Sequence, residues 1–272
     1  MDTVICMNAA PATSAYTPLG ALSFHGTELT RGPWDPSHQH AGPPTALVCR
    51  AIEQAAAVHG LSHLARLTGN LLRPVPLGDL SVEVHEDYVG RNAAHYSARL
   101  LGHGKELARF TALMQREVDQ PVPPGTPGHP LPAAPRPPAD CEPVHMPFAG
   151  AQRSYADLVE NRLAAGRFFG GPSSAWFRLR HPLVAGETPS PYQRVAVAAD
   201  SGNGISAALD FRQKRPAMKR YNRRTVGIHL KTRVARRCDN FGIFEQNRVF
   251  FGNANRPFEH CQNFRFVRFD GD

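Results

Sequence analysis

Residues 42–60 read GPPTALVCRAIEQAAAVHG, and they decide the fold. Proline is tolerated in a first helical turn, so Gly42-Pro43-Pro44 sets a helix start. Thr45–His59 follows, apolar on nearly every side, with Arg50, Glu53 and Gln54 the polar exceptions. A helix that is apolar all round is a buried helix. Gly60 ends it, in the position where a helix prefers a residue with left-handed freedom.

Working outward, the next segments read as strands. Arg66–Arg73 stops at Pro74-Val75-Pro76. Over Asp79–Val89 the pattern alternates, with Leu80, Val82 and Val84 on one face and Ser81, Glu83 and His85 on the other. Gly90-Arg91-Asn92 and Gly102-His103-Gly104 are turns that separate Ala94–Leu101 and Glu106–Arg116. Ala21–Leu29 is a candidate entering strand. One buried helix wrapped by an antiparallel meander is an α+β unit with the element order of a hotdog fold, expected over residues 20–117.

A linker follows. Residues 121–147 hold 11 prolines, which excludes a helix interior or a central strand. It divides the chain into a first repeat (20–117), a linker (118–149), a second repeat (150–211) and a tail (212–272). The second repeat carries a twin of the first helix. Ser190-Pro191 opens YQRVAVAADSGNG, and Asp200 stands nine residues after Pro191 as Glu53 stands nine after Pro44. Gly202-Asn203-Gly204 stops this helix.

Composition narrows the function classes. The net charge of +8 is unevenly placed: residues 212–272 hold 15 Lys and Arg against 5 Asp and Glu, and the rest holds 16 against 18. The body is therefore near neutral, which argues against a nucleic-acid-binding body; the Arg- and Phe-rich tail has the charge and stacking residues for it but matches no known module. No run of 18 apolar residues suggests a membrane span, and the N-terminus lacks the pattern of a secretory signal. Five scattered cysteines without a CxxC pair suggest neither disulfides nor zinc, and a cytoplasmic location is expected. His38-x-His40 lacks a third ligand, so no metal and no cofactor are expected, and both histidines read as loop residues in solvent.

Three segments carry a resemblance: Trp34-Asp35-Pro36…Ala41-Gly42, Leu72-Arg73-Pro74-Val75-Pro76, and Gly186-Glu187-Thr188-Pro189-Ser190-Pro191…Ala199-Asp200-Ser201-Gly202-Asn203-Gly204. Together they resemble the double-hotdog acyl-CoA thioesterases, most closely the actinobacterial thioesterase-like proteins, over residues 20–116 and 152–211. The resemblance implies two hotdog halves side by side, an acyl-CoA substrate, a role in lipid metabolism and a homo-oligomer. It also implies a catalytic aspartate on the second central helix, matched by Asp200, which works with a Thr or Ser and a Gln further along the chain. Those two partners would lie beyond residue 211 and are not placed. Gly42, Glu53, Gly202 and Asn203 are the implied substrate-binding positions.

Beyond Phe211 the chain departs from the family's pattern of alternating strands. A composition change at one point is the mark of an altered reading frame or a replaced C-terminus, and it leaves the second repeat incomplete. Water attack on an acyl thioester needs a general base and an oxyanion donor, and a carboxylate beside a helix N-terminus supplies both. Asp200 is the candidate base; its competing role is to cap the turn Ser201–Gly204. Glu53 has a stronger competing role, pairing with Arg50 or facing the other half. Trp176 and Phe177 read as core, and Arg178 and Arg180 as a solvated strand face in preference to a contact with CoA phosphates. Rival functions are a non-catalytic or disabled acyl-CoA binder, and a hydratase, which wants an Asp/His pair that the sequence does not place near either helix.

Overall fold

A computed structural model describes residues 11–118, 135–145, 152–168, 170 and 173–205, and the backbone of 241–245, 248–252 and 264–265. The first repeat follows the expected order. Strands β1 (Tyr16–Pro18) and β2 (Ser23–Gly26) lead to helix α1 (Gly42–Ala57), then β3 (His63–Leu71), β4 (Gly78–Val89), β5 (Ala93–Gly102) and β6 (Lys105–Gln115). They form a six-stranded sheet in the order β1-β2-β4-β5-β6-β3, antiparallel throughout its pairings. Turn chemistry sets the register. His103 and Gly104 both have positive φ, 50° and 69°, as a two-residue mirror-image turn between β5 and β6 requires.

Helix α1 lies on this sheet, and the alternation in the strands supplies its bed. Leu80 and Val82 of β4, Ala94, Tyr96, Ala98 and Leu100 of β5, and Phe110, Ala112 and Met114 of β6 are buried with Leu47, Val48 and Ile52 of α1. Each such aliphatic side chain contributes about 1.5–3 kcal/mol on burial. Gly69 of β3 leaves room for the Phe110 ring, which a Cβ there would meet at 2.4 Å. The entering segment crosses to the second repeat: Tyr16 bridges in parallel to Val184, and Ala15 and Tyr16 donate backbone N–H to Pro182 and Leu183.

The second repeat has a short helix α2 (Tyr155–Leu158), strands β7 (Val159–Gly166) and β8 (Ser173–Leu179), helix α3 (Pro191–Ala199) and the turn-length helix α4 (Gly202–Ile205). Three strands from the tail, β9 (Phe241–Glu245), β10 (Arg248–Gly252) and β11 (Phe264–Arg265), extend its sheet in the order β11-β10-β9-β8-β7. Helix α3 packs on β8 and β9 as α1 packs on its own sheet. The molecule is thus a double hotdog of the α+β class. Most of the tail, and the prolines of 119–134, lie outside the described residues.

Trp176 and Phe177 are both buried, as expected, but on opposite faces. Phe177 joins the common core, whereas Trp176 donates its indole N–H to the Arg136 carbonyl of the linker, 2.8 Å away. The linker segment 135–145 therefore covers the outer face of the second sheet, with Pro138 and Cys141 buried there. Arg178 and Arg180 stand on a solvated strand face, 40% and 49% exposed, and turn toward Glu160: Arg162 Nε lies 2.6 Å from this carboxylate, Arg178 forms a short ion pair with it, and Arg180 stands 3.9 Å away.

Candidate functional site

Helices α1 and α3 pack against each other in opposite directions. The end of α3 meets the start of α1, and the end of α1 meets the start of α3. Each helix therefore presents its late carboxylate to the other's N-terminus, the end that carries positive partial charge and free N–H groups. The sequence spacing of Pro44–Glu53 and Pro191–Asp200 becomes an approximate two-fold arrangement. The two ends are chemically different.

At the start of α3, Ser190 is the N-cap and its Oγ accepts from Gln193 N at 3.1 Å. The same hydroxyl donates to both oxygens of Glu53, at 2.7 and 2.9 Å, and Gln193 Nε2 donates to Glu53 Oε2 at 2.8 Å. Glu53 faces the other half, as one of the two competing structural roles anticipated. Burial raises its pKa, against the lowering effects of the Gln193 and Ser190 hydrogen bonds and of the Arg50 charge. Arg50 spends its own donors elsewhere: Nε and Nη2 reach Glu187 at 2.6 Å each, and the guanidinium lies 5.4 Å from the Phe24 ring centre. The Glu53 end is thus closed by side chains from both repeats.

At the start of α1 no side chain of its own N-cap, Ala41, makes a capping bond. Asp200 does that work from the other helix: its Oδ2 accepts from Ala41 N at 3.2 Å. This differs from the competing role of capping its own turn, where the Ser201 N–H goes to the Ala198 carbonyl. His40 Nδ1 lies 3.2 Å from the same Oδ2 and 3.3 Å from Gly42 N. Asp200 keeps partial access to solvent, its side chain 23% exposed. Among the described residues its second oxygen, Oδ1, takes no hydrogen bond.

His40 is not the solvated loop residue expected from the sequence. Its ring is stacked on Tyr155, with centres 3.8 Å apart and planes 3° apart. Burial lowers its pKa, and the nearby Asp200 charge opposes that shift. The Tyr155 hydroxyl donates to the Val197 carbonyl at 3.0 Å, so the contact with Ser201 Oγ, also 3.0 Å, is a bond that Ser201 donates. Burial raises the Tyr155 pKa and keeps this hydroxyl protonated. An Asp/His pair thus stands beside α1, which the sequence alone did not place. His38 stays outside, 3.7 Å from Asp35. Among the described residues no three His, Cys, Asp or Glu side chains gather as a metal-ion set.

Of the other anticipated site residues, Gly42 lies at the heart of the helix contact. A Cβ on it would stand 2.0 Å from the Val197 carbonyl oxygen, so only glycine lets the two backbones approach this closely. Gly202 and Asn203 begin α4, within three residues of Asp200, and do not join the Glu53 end. The Thr or Ser and the Gln implied for the catalytic set fall among residues whose side chains lie outside the described ones. His40, Tyr155, Ser190 and Gln193 were not anticipated as site residues. The Ser-Pro cap was visible in the sequence, but its reach to Glu53 depends on the packing of two helices 137 residues apart.

Comparisons with known proteins agree with the double-hotdog fold. The model of the acyl-CoA thioesterase N-terminal domain matches residues 30–115, and the model of the acyl-CoA thioesterase C-terminal domain matches residues 138–243. A search of curated proteins finds no match. Among solved structures, the chain is similar to the tesB protein of Mycobacterium avium subs paratuberculosis, with TM-score 0.56 and 16% identity over 94% of this chain and 97% of that one. An acyl-CoA thioesterase II from Mycobacterium marinum gives 0.53 and 14% over 94% and 97%. A putative thioesterase II from Thermobifida fusca gives 0.53 and 13% over 94% and 96%. These identities speak for the fold alone, but the two domain models match in order, one to each repeat, and on that ground the chain belongs to the acyl-CoA thioesterase family.

Proposed function

We propose that the protein hydrolyses acyl-CoA thioesters to the free acid and CoA, with Asp200 as the general base. The observation that carries this reading is the placement of the Asp200 carboxylate at the N-terminus of α1, anchored through Oδ2 by Ala41 N–H and, among the described residues, without a hydrogen bond at Oδ1. A water at Oδ1 gives its proton to the carboxylate as its oxygen attacks the thioester carbonyl carbon. The carbonyl oxygen becomes an oxyanion, for which the start of α1 offers the Gly42 N–H; Pro43 and Pro44 have none to give. Collapse of the tetrahedral intermediate breaks the C–S bond, and the departing CoA thiolate takes the proton held by Asp200. Glu53, hydrogen-bonded at both oxygens, is the quiet counterpart of Asp200. A cytoplasmic, homo-oligomeric enzyme of lipid metabolism is the setting proposed with this activity.

Release of free CoA thiol from a panel of acyl-CoAs tests the reading, with Asp200→Asn as the control. Turnover by the wild type that Asp200→Asn loses supports it. No turnover together with equal acyl-CoA binding by both proteins would make this chain a binder. The His40–Asp200 contact of 3.2 Å favours one second reading, addition of water across the double bond of an enoyl-CoA. Loss of the enoyl absorbance of crotonyl-CoA, without thiol release, would decide for it.

A further inference from the structure

His40 stands against both the proposed base and the proposed oxyanion donor, yet the hydrolysis reading gives it no task. Its plane is fixed by the stack on Tyr155, and its Nδ1 meets two groups at once: it accepts from Gly42 N–H at 3.3 Å, and it lies 3.2 Å from Asp200 Oδ2, at ion-pair distance. The two contacts compete for one nitrogen. With the imidazole proton on Nδ1, the ring donates to Asp200, and Gly42 N–H has no acceptor on His40. With the proton on Nε2, Nδ1 accepts from Gly42 N–H and turns a lone pair toward a carboxylate oxygen, which is repulsive while Asp200 is ionised.

The start of α1 makes this choice matter. Ala41 N–H is held by Asp200, Thr45 N–H by the Ala41 carbonyl at 3.2 Å, and Pro43 and Pro44 carry no N–H. Gly42 N–H is then the donor at this helix end that a change at His40 can release. We propose that His40 is a positioning residue: by donating Nδ1–H to Asp200 it orients the base and at the same time frees Gly42 N–H for the thioester carbonyl. This inference rests on the hydrolysis reading.

Among the described residues, the groups facing the ring are Asp200 after α3, Tyr155 from α2 and the backbone of Gly42 from α1. Ser201 stands one step further, on the Tyr155 hydroxyl. Asp200 is the charged group among them. Burial outweighs its attraction for a second ring proton, so the ring is neutral near pH 7, and the variable is which nitrogen holds the proton.

Nitrogen-15 NMR of the full-length protein with labelled histidine reads that variable directly, the His40 signals being assigned by their loss in His40→Phe. The Nδ1–H tautomer is expected in the wild type, shifting to Nε2–H in Asp200→Ala, where Nδ1 is left to Gly42. An Nε2–H ring in the wild type, or no change in Asp200→Ala, overturns the proposal. Kinetics supply the second arm. His40→Asn places an amide donor where Nδ1–H stood, whereas His40→Phe keeps an aromatic ring on Tyr155 without the donor. We expect kcat to fall about 100-fold in His40→Phe with KM within about 3-fold, and to stay within about 10-fold of wild type in His40→Asn. Equal losses in the two variants, both folded by their thermal melts, overturn it as well. If the wild type turns over no acyl-CoA, the hydrolysis reading fails, and the tautomer measurement still decides the role of His40 beside Asp200.

Discussion

Gly42→Ala offers a sharp test of the helix contact because two effects of opposite sign compete there. Alanine is the better helix former, by up to about 1 kcal/mol in a helix interior. If α1 merely needed helix propensity, the substitution would stabilise the protein. The new Cβ, however, would lie 2.0 Å from the Val197 oxygen, 2.9 Å from its carbonyl carbon and 3.3 Å from its Cα, all backbone atoms of α3. Relief to ordinary contact requires the helices to part by roughly 1 Å, and overpacking of this kind costs about 1–3 kcal/mol. The clash wins, and a net loss of about 1–2 kcal/mol is expected, about 2–8 °C in Tm for a chain of this size. The same displacement acts on the site. Ala41 N lies 3.2 Å from Asp200 Oδ2, near the limit of a hydrogen bond, and a shift of about 1 Å breaks it and loosens the 3.2 Å contact of His40 Nδ1 with the same oxygen. Misplacement on that scale costs about 100-fold in rate. Urea melts and acyl-CoA hydrolysis on the same preparation measure the two effects. A variant as stable as wild type, with unchanged kcat, would refute the close approach of α1 and α3 and the dependence of the site on it.

Three further outcomes follow from the opposite end of the helix pair. Glu53 has a folded-state pKa raised above its unfolded value, so the native state binds the proton more tightly. Its contribution to stability is fully present below the ordinary carboxylate pKa and is lost as pH rises through the raised value; Glu53→Gln should flatten the stability profile across that window and leave kcat within about 3-fold, as pH-dependent melts and kinetics will show. Ser190→Ala removes the cap of α3 and the hydroxyl that serves both Glu53 oxygens, at a cost of about 2–4 kcal/mol. Because that hydrogen bond favours the ionised form, the loss measured in urea should be larger at pH 7 than at pH 4. Arg50→Met unties Glu187 and uncovers Phe24; since Glu187 is 39% exposed and can rehydrate, about 1–2 kcal/mol is expected in a thermal melt.

Much of the fold was legible because local rules agree with the global arrangement. The prolines and Gly60 bracket α1, the alternation of Leu80, Val82 and Val84 marks the buried face of β4, and His103-Gly104 makes the turn its strands need. Asp200 and Glu53 were legible as a pair through equal spacing from a proline. Their difference was not, because it arises from what the opposite helix brings: the Ala41 N–H to Asp200, the Ser190 hydroxyl and the Gln193 amide to Glu53. His40 was misjudged for the same reason. Nothing local buries it; Tyr155, more than a hundred residues later, does. The two faces of Trp176 and Phe177 likewise depend on a linker whose proline-rich composition says only that it is extended.

The central claim is that the partly exposed Asp200 carboxylate at the start of α1 is the base of a thioester hydrolase. Thiol release from acyl-CoA by wild type, Asp200→Asn and Glu53→Gln, compared on one substrate at saturating concentration, tests it most directly. The account predicts turnover in the wild type, a loss of at least about 100-fold in Asp200→Asn, and near-wild-type kcat in Glu53→Gln. Turnover that survives Asp200→Asn, or that is lost in Glu53→Gln while Asp200→Asn stays active, would contradict it.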